Sequence, residues 1–483
     1  MDPSAASSRR HVVVVGAGIT GLAAAHRLGE ADGRAAVRVT VLEATDRIGG
    51  KIETGRCGEW TVELGPDGFL ARDPDATELC RAVGLGDLLV PAQSGRAGLW
   101  SRGRIRWLPT GLVLGVPVRV GPLRRARVLS PLGLARVWLE PLVPPRPVGR
   151  DDPLGPILRR RLGRQAFDRL VDPLLSGIYA GSAEGMSLGA VAPRLLDALQ
   201  EGGSLRRGLR RQALLDRSPG GAGAGAPTFL TVAGGLSQLV DRLAGELAHN
   251  GLRSRSPATA IHPSPGGGWV VVTGAGTVEP ADAVIIATPA AAAAALLAPV
   301  NPAAAACLAD IPYASVATVT LAYPASALPR LPEASGFLVP RGEGRRVTAC
   351  TFLGSKWPHL DADDVRLVRA SVGRHGDRRA LDLSDAQLAA EVHLELRRAL
   401  GVGAAPHAIT VRRWRDALPQ YRAGHLGRMD ALELALGATP GLHLAGAALR
   451  GVGLPACIRQ GRAAADRAVA ATPGRPTVSG RIG

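Results

Sequence analysis

At 483 residues the chain is too long for one ordinary core, so two or more domains sharing interfaces are expected. Hydrophobic residues at 46% and charged residues at 20% give a globular balance, and aromatics at 3% are too scarce for base-stacking platforms, which disfavours nucleic acid as a partner. The formal charge of +17 is carried almost wholly by Arg, with Lys only at Lys51 and Lys356; such a field concentrates anionic small molecules or lipid headgroups, although so Ala-, Gly- and Pro-rich a chain also fits codon bias.

Residues 1–10 lack the apolar run of a signal peptide, which makes the cytosol the expected compartment. His11–Val15 is a β-branched run ending in glycines, Ile19–Leu28 is Ala- and Leu-rich, and Val37–Leu42 ends on Glu43: strand, tight turn, helix, strand. Residues 102–169 are dense in Arg and Pro with short amphipathic stretches, and Arg159, Arg160 and Arg161 fall in a predicted helix, so a helical insertion is expected here. Residues 218–227, SPGGAGAGAP, hold nothing that could anchor a core and are expected to form a flexible loop. Phe229–Val232 then reads as a strand, Gly234 and Gly235 as a turn, Leu236–His249 as an amphipathic helix, and Trp269–Thr273 and Asp282–Thr288 as strands.

The apolar run 281–300 contains Asp282 and Pro289, which argues against a membrane span and leaves peripheral membrane contact open. Val316–Tyr323 and Val347–Leu353 alternate like strands, and Ser384–Leu400 carries apolar residues at helical spacing. A strand at Leu442–Ala445 and a helix at Pro455–Ala470 close the folded part, ahead of a Pro- and Gly-rich tail expected to be disordered. The five cysteines form no CxxC pair and have no His at ligand spacing, so reduced thiols and no metal are expected.

Gly16, Gly18 and Gly21, with Ala17, Ile19 and Thr20 between them, make GxGxxG between a strand and a helix, where backbone amides and the helix dipole can meet a pyrophosphate. Glu43, with Ala44 behind it, stands where a carboxylate accepts from ribose hydroxyls and repels a 2′-phosphate; this unit alone does not separate NAD from FAD.

The following stretch, EATDRIGGKIET from Glu43 to Thr54, resembles the second motif of the FAD-dependent amine oxidase superfamily, which implies cofactor contacts from Arg47, Gly50 and Lys51 and makes FAD the expected cofactor. AGAALRGVGLPACIRQG resembles that superfamily's C-terminal flavin segment, in which Val452, Gly453 and Leu454 would line the ring and the helix N-terminus would stabilise negative charge on a reduced flavin. Four stretches in order, ELGPDGFLARDP, PLLSGIYAGSAEGMSL, RRWRDALPQYRAGH and GVGLPACI, resemble the oxygen-dependent protoporphyrinogen and coproporphyrinogen oxidases, the last of them in the Gram-positive form that favours coproporphyrinogen III.

That resemblance places Gly65, Pro66, Asp67 and Gly68 at the flavin, Trp414 beside it, Ala258 near the adenosine and Gly177 at the substrate ring. Arg72 is a candidate for a substrate propionate because guanidinium forks match carboxylates; a solvated surface Arg is the equal alternative. Ala447 departs from the family, where many relatives carry Asn or Asp, so a side-chain hydrogen bond near the flavin is missing.

The implied fold is α/β: a Rossmann-like FAD-binding domain (1–75, 228–295 and 435–475), a mixed α/β substrate domain (296–434) and a helical insertion (76–217), with the loop at 218–227 and a disordered tail at 476–483. The implied chemistry is flavin-mediated aromatisation of coproporphyrinogen III with oxygen as acceptor and no protein catalytic base. A downstream ferrochelatase is the implied protein partner. Protoporphyrinogen oxidation, another flavin oxidase or desaturase, and a non-catalytic FAD-binding role are the competing readings.

Overall fold

A computed structural model describes residues 9–30, 37–201, 203–215, 227–247, 251–328 and 331–470. The loop expected at 218–227, apart from Pro227, and the tail at 476–483 lie outside them. Its central feature is a five-stranded sheet of β1 (Arg10–Val15), β2 (Val37–Leu42), β3 (Leu252–Arg253), β4 (Ala283–Ile286) and β5 (Leu442–Leu444). The strands run parallel in the order β3-β2-β1-β4-β5.

A parallel strand is covered on both faces, which is why β1 is a continuous Val run rather than an alternating one. Val12 and Val14 enter the core beneath α1 (Ile19–Glu30), while Val13 and Val15 enter a second core on the opposite face. The second core is covered by the antiparallel sheet Ala258–Pro263, Trp269–Thr273 and Val278–Ala281 and by helices at Ala290–Leu297, Pro302–Ala309 and His425–Leu436. The strand order reverses between β1 and β4, the crevice at which such sheets bind ligands beyond their carboxyl ends. The apolar run 281–300 is divided between β4 and the helix after it, and among the described residues no helix is long and apolar enough to cross a membrane.

The C-terminal helix α2 (Leu454–Ala470) crosses α1 closely. A Cβ on Gly461 would stand 2.2 Å from the Thr20 carbonyl oxygen, so glycine is needed for the two backbones to approach. The helix starts one residue before the predicted Pro455, which occupies its first turn.

A seven-stranded sheet forms the second layer, in the order Ala408–Pro419, Tyr313–Pro324, Val365–Val372, Val347–Phe352, Gly336–Leu338, Ala97–Ser101 and Arg104–Trp107. Helix Asp385–Leu400 packs on it, opened by a Ser384–Gln387 capping box and closed by Gly401 at φ +70°. The expectation of a helical insertion over 76–217 needs correction at its start. Residues 97–107 form a hairpin that joins this sheet, its first strand pairing parallel with Gly336–Leu338, and helices dominate only from residue 121. That pairing partner lies more than two hundred residues away, out of reach of local periodicity. Leu89–Pro91 likewise pairs with Phe229–Val232, and the helix predicted over Leu236–His249 occupies Ser237–Gly245.

Candidate functional site

The glycine turn sits at the crevice. Gly16 ends β1 with its N–H donating to Leu42 O at 2.7 Å, at φ +104°, and a Cβ there would lie 3.1 Å from Ala287 O just beyond β4. A Cβ on Gly21 would fall 2.0 Å from Gly16 O, so helix and strand can pack this closely only around glycine. Ile19 and Thr20 are buried in the first turn of α1, whose leading amides have no partner within the helix.

The second glycine motif lies against the first. Gly18 and Gly49 form a parallel bridge, Gly49 N–H donates to Ala17 O at 2.8 Å, and a Cβ on Gly50 would come within 3.1 Å of Gly18 Cα. The Glu43 carboxylate joins the two motifs by accepting from Ala17 N–H at 2.9 Å and from the Thr45 N–H and hydroxyl at 3.0 and 2.9 Å. The Ala17 amide, expected at the cofactor, is therefore already engaged. Ala44 is exposed beside it, and the chain leading to Ala258 runs alongside, with Ser256 N–H on Glu43 O and Arg255 N–H on Thr45 O at 2.8 Å each.

Arg47 is directed at backbone: it donates to Ile52 O at 2.9 Å and to Gly50 O, which fixes the second glycine turn from inside. Its guanidinium also lies over Trp414, 5.7 Å from the ring centre, with Arg412 on the same ring at 4.9 Å. Trp414 Nε1–H donates to Leu64 O at 2.9 Å, and a Cβ on Gly65 would fall 2.0 Å from Lys51 O. Gly65, Lys51 and Trp414, far apart in sequence, thus form one wall, with Pro66 half-buried beside them. The Lys51 side chain is open to solvent yet flanked closely by protein, as a group facing a cleft is; desolvation lowers its ammonium pKa, and Cys457 at the start of α2 opposes this.

Asp67 occupies a place the sequence does not announce. One oxygen of its carboxylate, Oδ2, is engaged by Lys356 Nζ at 2.9 Å, Arg369 at 3.2 Å and Trp357 Nε1–H at 3.2 Å, so Asp67 anchors a buried ion cluster. Burial alone would raise its pKa, but Arg369 and Lys356 hold it well below the usual carboxylate range. Arg369 also donates to Glu63 O and Gly65 O, which ties the cluster to the backbone of the Gly65 wall. Glu63 is pushed up to about 7 by burial, against the Leu236 N–H and Thr54 hydroxyl that it accepts. Gly68 permits a close passage: a Cβ there would lie 2.7 Å from Leu230 O and 2.8 Å from the Trp357 ring.

At the other end, Val452 packs on the core of the insertion and Leu454 on the core beneath α1, with Gly453 exposed between them. Gly177 lies in the last turn of helix Asp172–Tyr179, where carbonyls lose their helical partners, and faces Leu338 of the large sheet. Arg72 is exposed just before helix Pro74–Ala82. Further basic residues surround the end of the Gly177 helix: Arg374 donates to Val339 O, the backbone N–H of His375 donates to Ala180 O at 2.7 Å, the Arg422 backbone forms an antiparallel bridge with Met186, and Arg422 and Arg341 both add to the burial that lowers the His375 pKa and keeps its ring neutral. Sequence reading missed these, because in a chain with so much Arg no single one stands out. Lys356 could have been found, as one of only two lysines.

Comparison with known proteins gives a consistent picture. The family model described as flavin containing amine oxidoreductase matches residues 19–469. The chain is 33% identical over 469 residues to the coproporphyrinogen III oxidase of Bacillus subtilis (strain 168), covering 95% of this chain and 98% of the other. It is 37% identical over 461 residues to the enzyme of that name from Mycobacterium tuberculosis (strain CDC 1551 / Oshkosh), covering 95% and 96%. A solved structure from Exiguobacterium sp. 255-15, whose name assigns it to protoporphyrinogen oxidation, superposes with a TM-score of 0.83 at 35% identity and covers 95% of this chain and 98% of its own.

Proposed function

The chain belongs to the flavin-containing amine oxidoreductase family, and from that membership we propose that it oxidises coproporphyrinogen III to coproporphyrin III with FAD as cofactor. The observation that carries this reading is the meeting of the two glycine motifs at the crevice between β1 and β4, on a chain alike over nearly its whole length to coproporphyrinogen III oxidases. The residues fit the cofactor. Gly16 and Gly21 allow the tight turn and the close packing of α1 on β1, and the amides of Gly18, Ile19 and Thr20 at the start of that helix would meet a pyrophosphate. Glu43 and the adjoining segment that leads to Ala258 would hold the adenosine side, Gly50, Lys51, Gly65 and Trp414 would form a wall toward the ring, and Val452, Gly453 and Leu454, where the chain enters α2, would also line it.

FAD, when bound, supplies the acceptor for the hydrides removed from the substrate methylene bridges. The protein's part is binding and orientation. Arg47 and Trp414 brace the cofactor wall, the Gly177 helix end offers carbonyls to pyrrole N–H groups, and Arg72 with Arg341, Arg374 and Arg422 supplies positive charge for propionates. Oxygen is the terminal acceptor, with peroxide as its product, and the porphyrin passes to a downstream ferrochelatase. The FAD-binding domain comprises 1–75, 228–295 and 435–475, a division supported by the five strands of one sheet coming from those segments.

The test is the rate of porphyrin fluorescence from coproporphyrinogen III and protoporphyrinogen IX in air, on protein whose FAD is confirmed by absorbance. Faster turnover of the tetra-acid supports the reading. Preference for the di-acid moves the enzyme to protoporphyrinogen, and turnover of neither with FAD bound overturns it.

A further inference from the structure

We infer that Tyr421 is a positioning residue that holds the flavin-facing turn 451–454 from the side of the substrate stretch; this rests on the reading that Val452, Gly453 and Leu454 border the flavin. Tyr421 is 1% exposed, and a phenol hydroxyl buried this deeply is costly unless both its donor and its acceptor capacity are used. Both are: the hydroxyl donates to Ala447 O at 2.5 Å and accepts from Gly451 N–H at 2.8 Å. These two partners bracket the turn leading into the flavin segment, and Gly451 stands at φ +123°, so the hydroxyl fixes a backbone shape that only glycine adopts readily.

The ring of Tyr421 is stacked on His425 with centres 4.0 Å apart, and His425 Nε2 lies 2.7 Å from Leu449 O. Three hydrogen bonds from one short segment therefore grip residues 447–451. On its other side the same segment is tied to the substrate stretch. Ser187 N–H donates to Tyr421 O at 2.9 Å, Gln420 Nε2–H donates to Tyr179 O at 2.7 Å, and the Tyr179 and Tyr421 rings stand 5.8 Å apart. Burial pushes the Tyr421 hydroxyl far above its ordinary pKa, so it stays a donor. Position 447, an alanine, has no polar side chain with which to anchor this segment, and Tyr421 supplies the partner its carbonyl uses.

Tyr421→Phe removes the hydroxyl and leaves the ring. The expected result is a dissociation constant for FAD raised roughly tenfold or more, since both hydrogen bonds of the hydroxyl are lost. It is accompanied by a changed visible spectrum of the bound flavin and a shifted flavin midpoint potential. Tyr323→Phe is the control: that tyrosine, in the large sheet, is equally buried and bonds His393 of helix Asp385–Leu400, so it should lower the melting temperature while leaving FAD affinity, spectrum and potential as in the wild type. His425→Gln, which deletes the stacked ring, should shift the spectrum in the same direction as Tyr421→Phe and provides a second reading should the first variant fold poorly. Unchanged affinity, spectrum and potential in Tyr421→Phe, or equal shifts in Tyr323→Phe, would overturn the inference. A wild type that binds no FAD overturns the flavin reading beneath it.

Discussion

Asp67→Asn is expected to lower the unfolding free energy by about 3–5 kcal/mol, the usual result of deleting one partner of a buried ion pair. The magnitude follows from the surroundings. Asp67 is the only carboxylate in direct contact with Lys356 and Arg369 among the described residues, and the three side chains are 15%, 12% and 9% exposed. Removing its charge leaves two cations facing each other with little water to replace it, while the amide keeps the volume and one acceptor oxygen. Chemical unfolding of the FAD-free protein is the assay, since bound cofactor would add its own stabilisation. Lys356→Met should cost less, because Arg369 still faces the carboxylate, and the double variant should show a coupling of roughly 1–3 kcal/mol.

Acid provides an independent check. The folded pKa of Asp67 is held below its ordinary value of 3.8, so its contribution is present above that value and is lost as the pH falls through the lowered one. The wild type should therefore lose stability below about pH 4 more steeply than Asp67→Asn. A variant within about 1 kcal/mol of wild type at neutral pH would refute the ion-cluster argument.

Gly21→Ala should abolish FAD binding, read as loss of flavin absorbance after gel filtration, because its Cβ would stand 2.0 Å from the rigid Gly16 carbonyl. Glu43→Ala, which frees the Ala17 and Thr45 amides it now engages, should weaken FAD by roughly tenfold in a fluorescence titration, with Glu43→Gln in between. Glu63 behaves oppositely to Asp67. Its folded pKa is raised from 4.5 to about 7, so the folded state binds the proton more tightly and stability declines as the pH rises across that interval. Glu63→Gln should flatten the decline in urea unfolding measured from pH 4.5 to 8; an unaltered slope would mean that another group titrates there.

Much of the cofactor side was legible because it is local. A β-branched run, a glycine turn and an Ala-rich helix within twenty residues dictate strand, turn and helix by sterics and periodicity alone, and Glu43 follows at the distance the unit requires. Elements marked by apolar periodicity, such as the helix Asp385–Leu400, were legible for the same reason. The hairpin at 97–107 was not, since a short edge strand is specified by the partner it joins.

For the site itself, sequence supplied the residue types and the family likeness, and through them the cofactor and the reaction. It could not tell that Glu43 spends acceptor capacity on Ala17, that Asp67 turns into an ion cluster with Lys356 and Arg369, or that Tyr421 reaches back to Ala447 and Gly451. Backbone geometry and apolar periodicity act over a few residues and are written in neighbouring positions. A buried charge or hydroxyl is satisfied by whatever group the fold brings within 3 Å, and here that group is in most cases tens to hundreds of residues away.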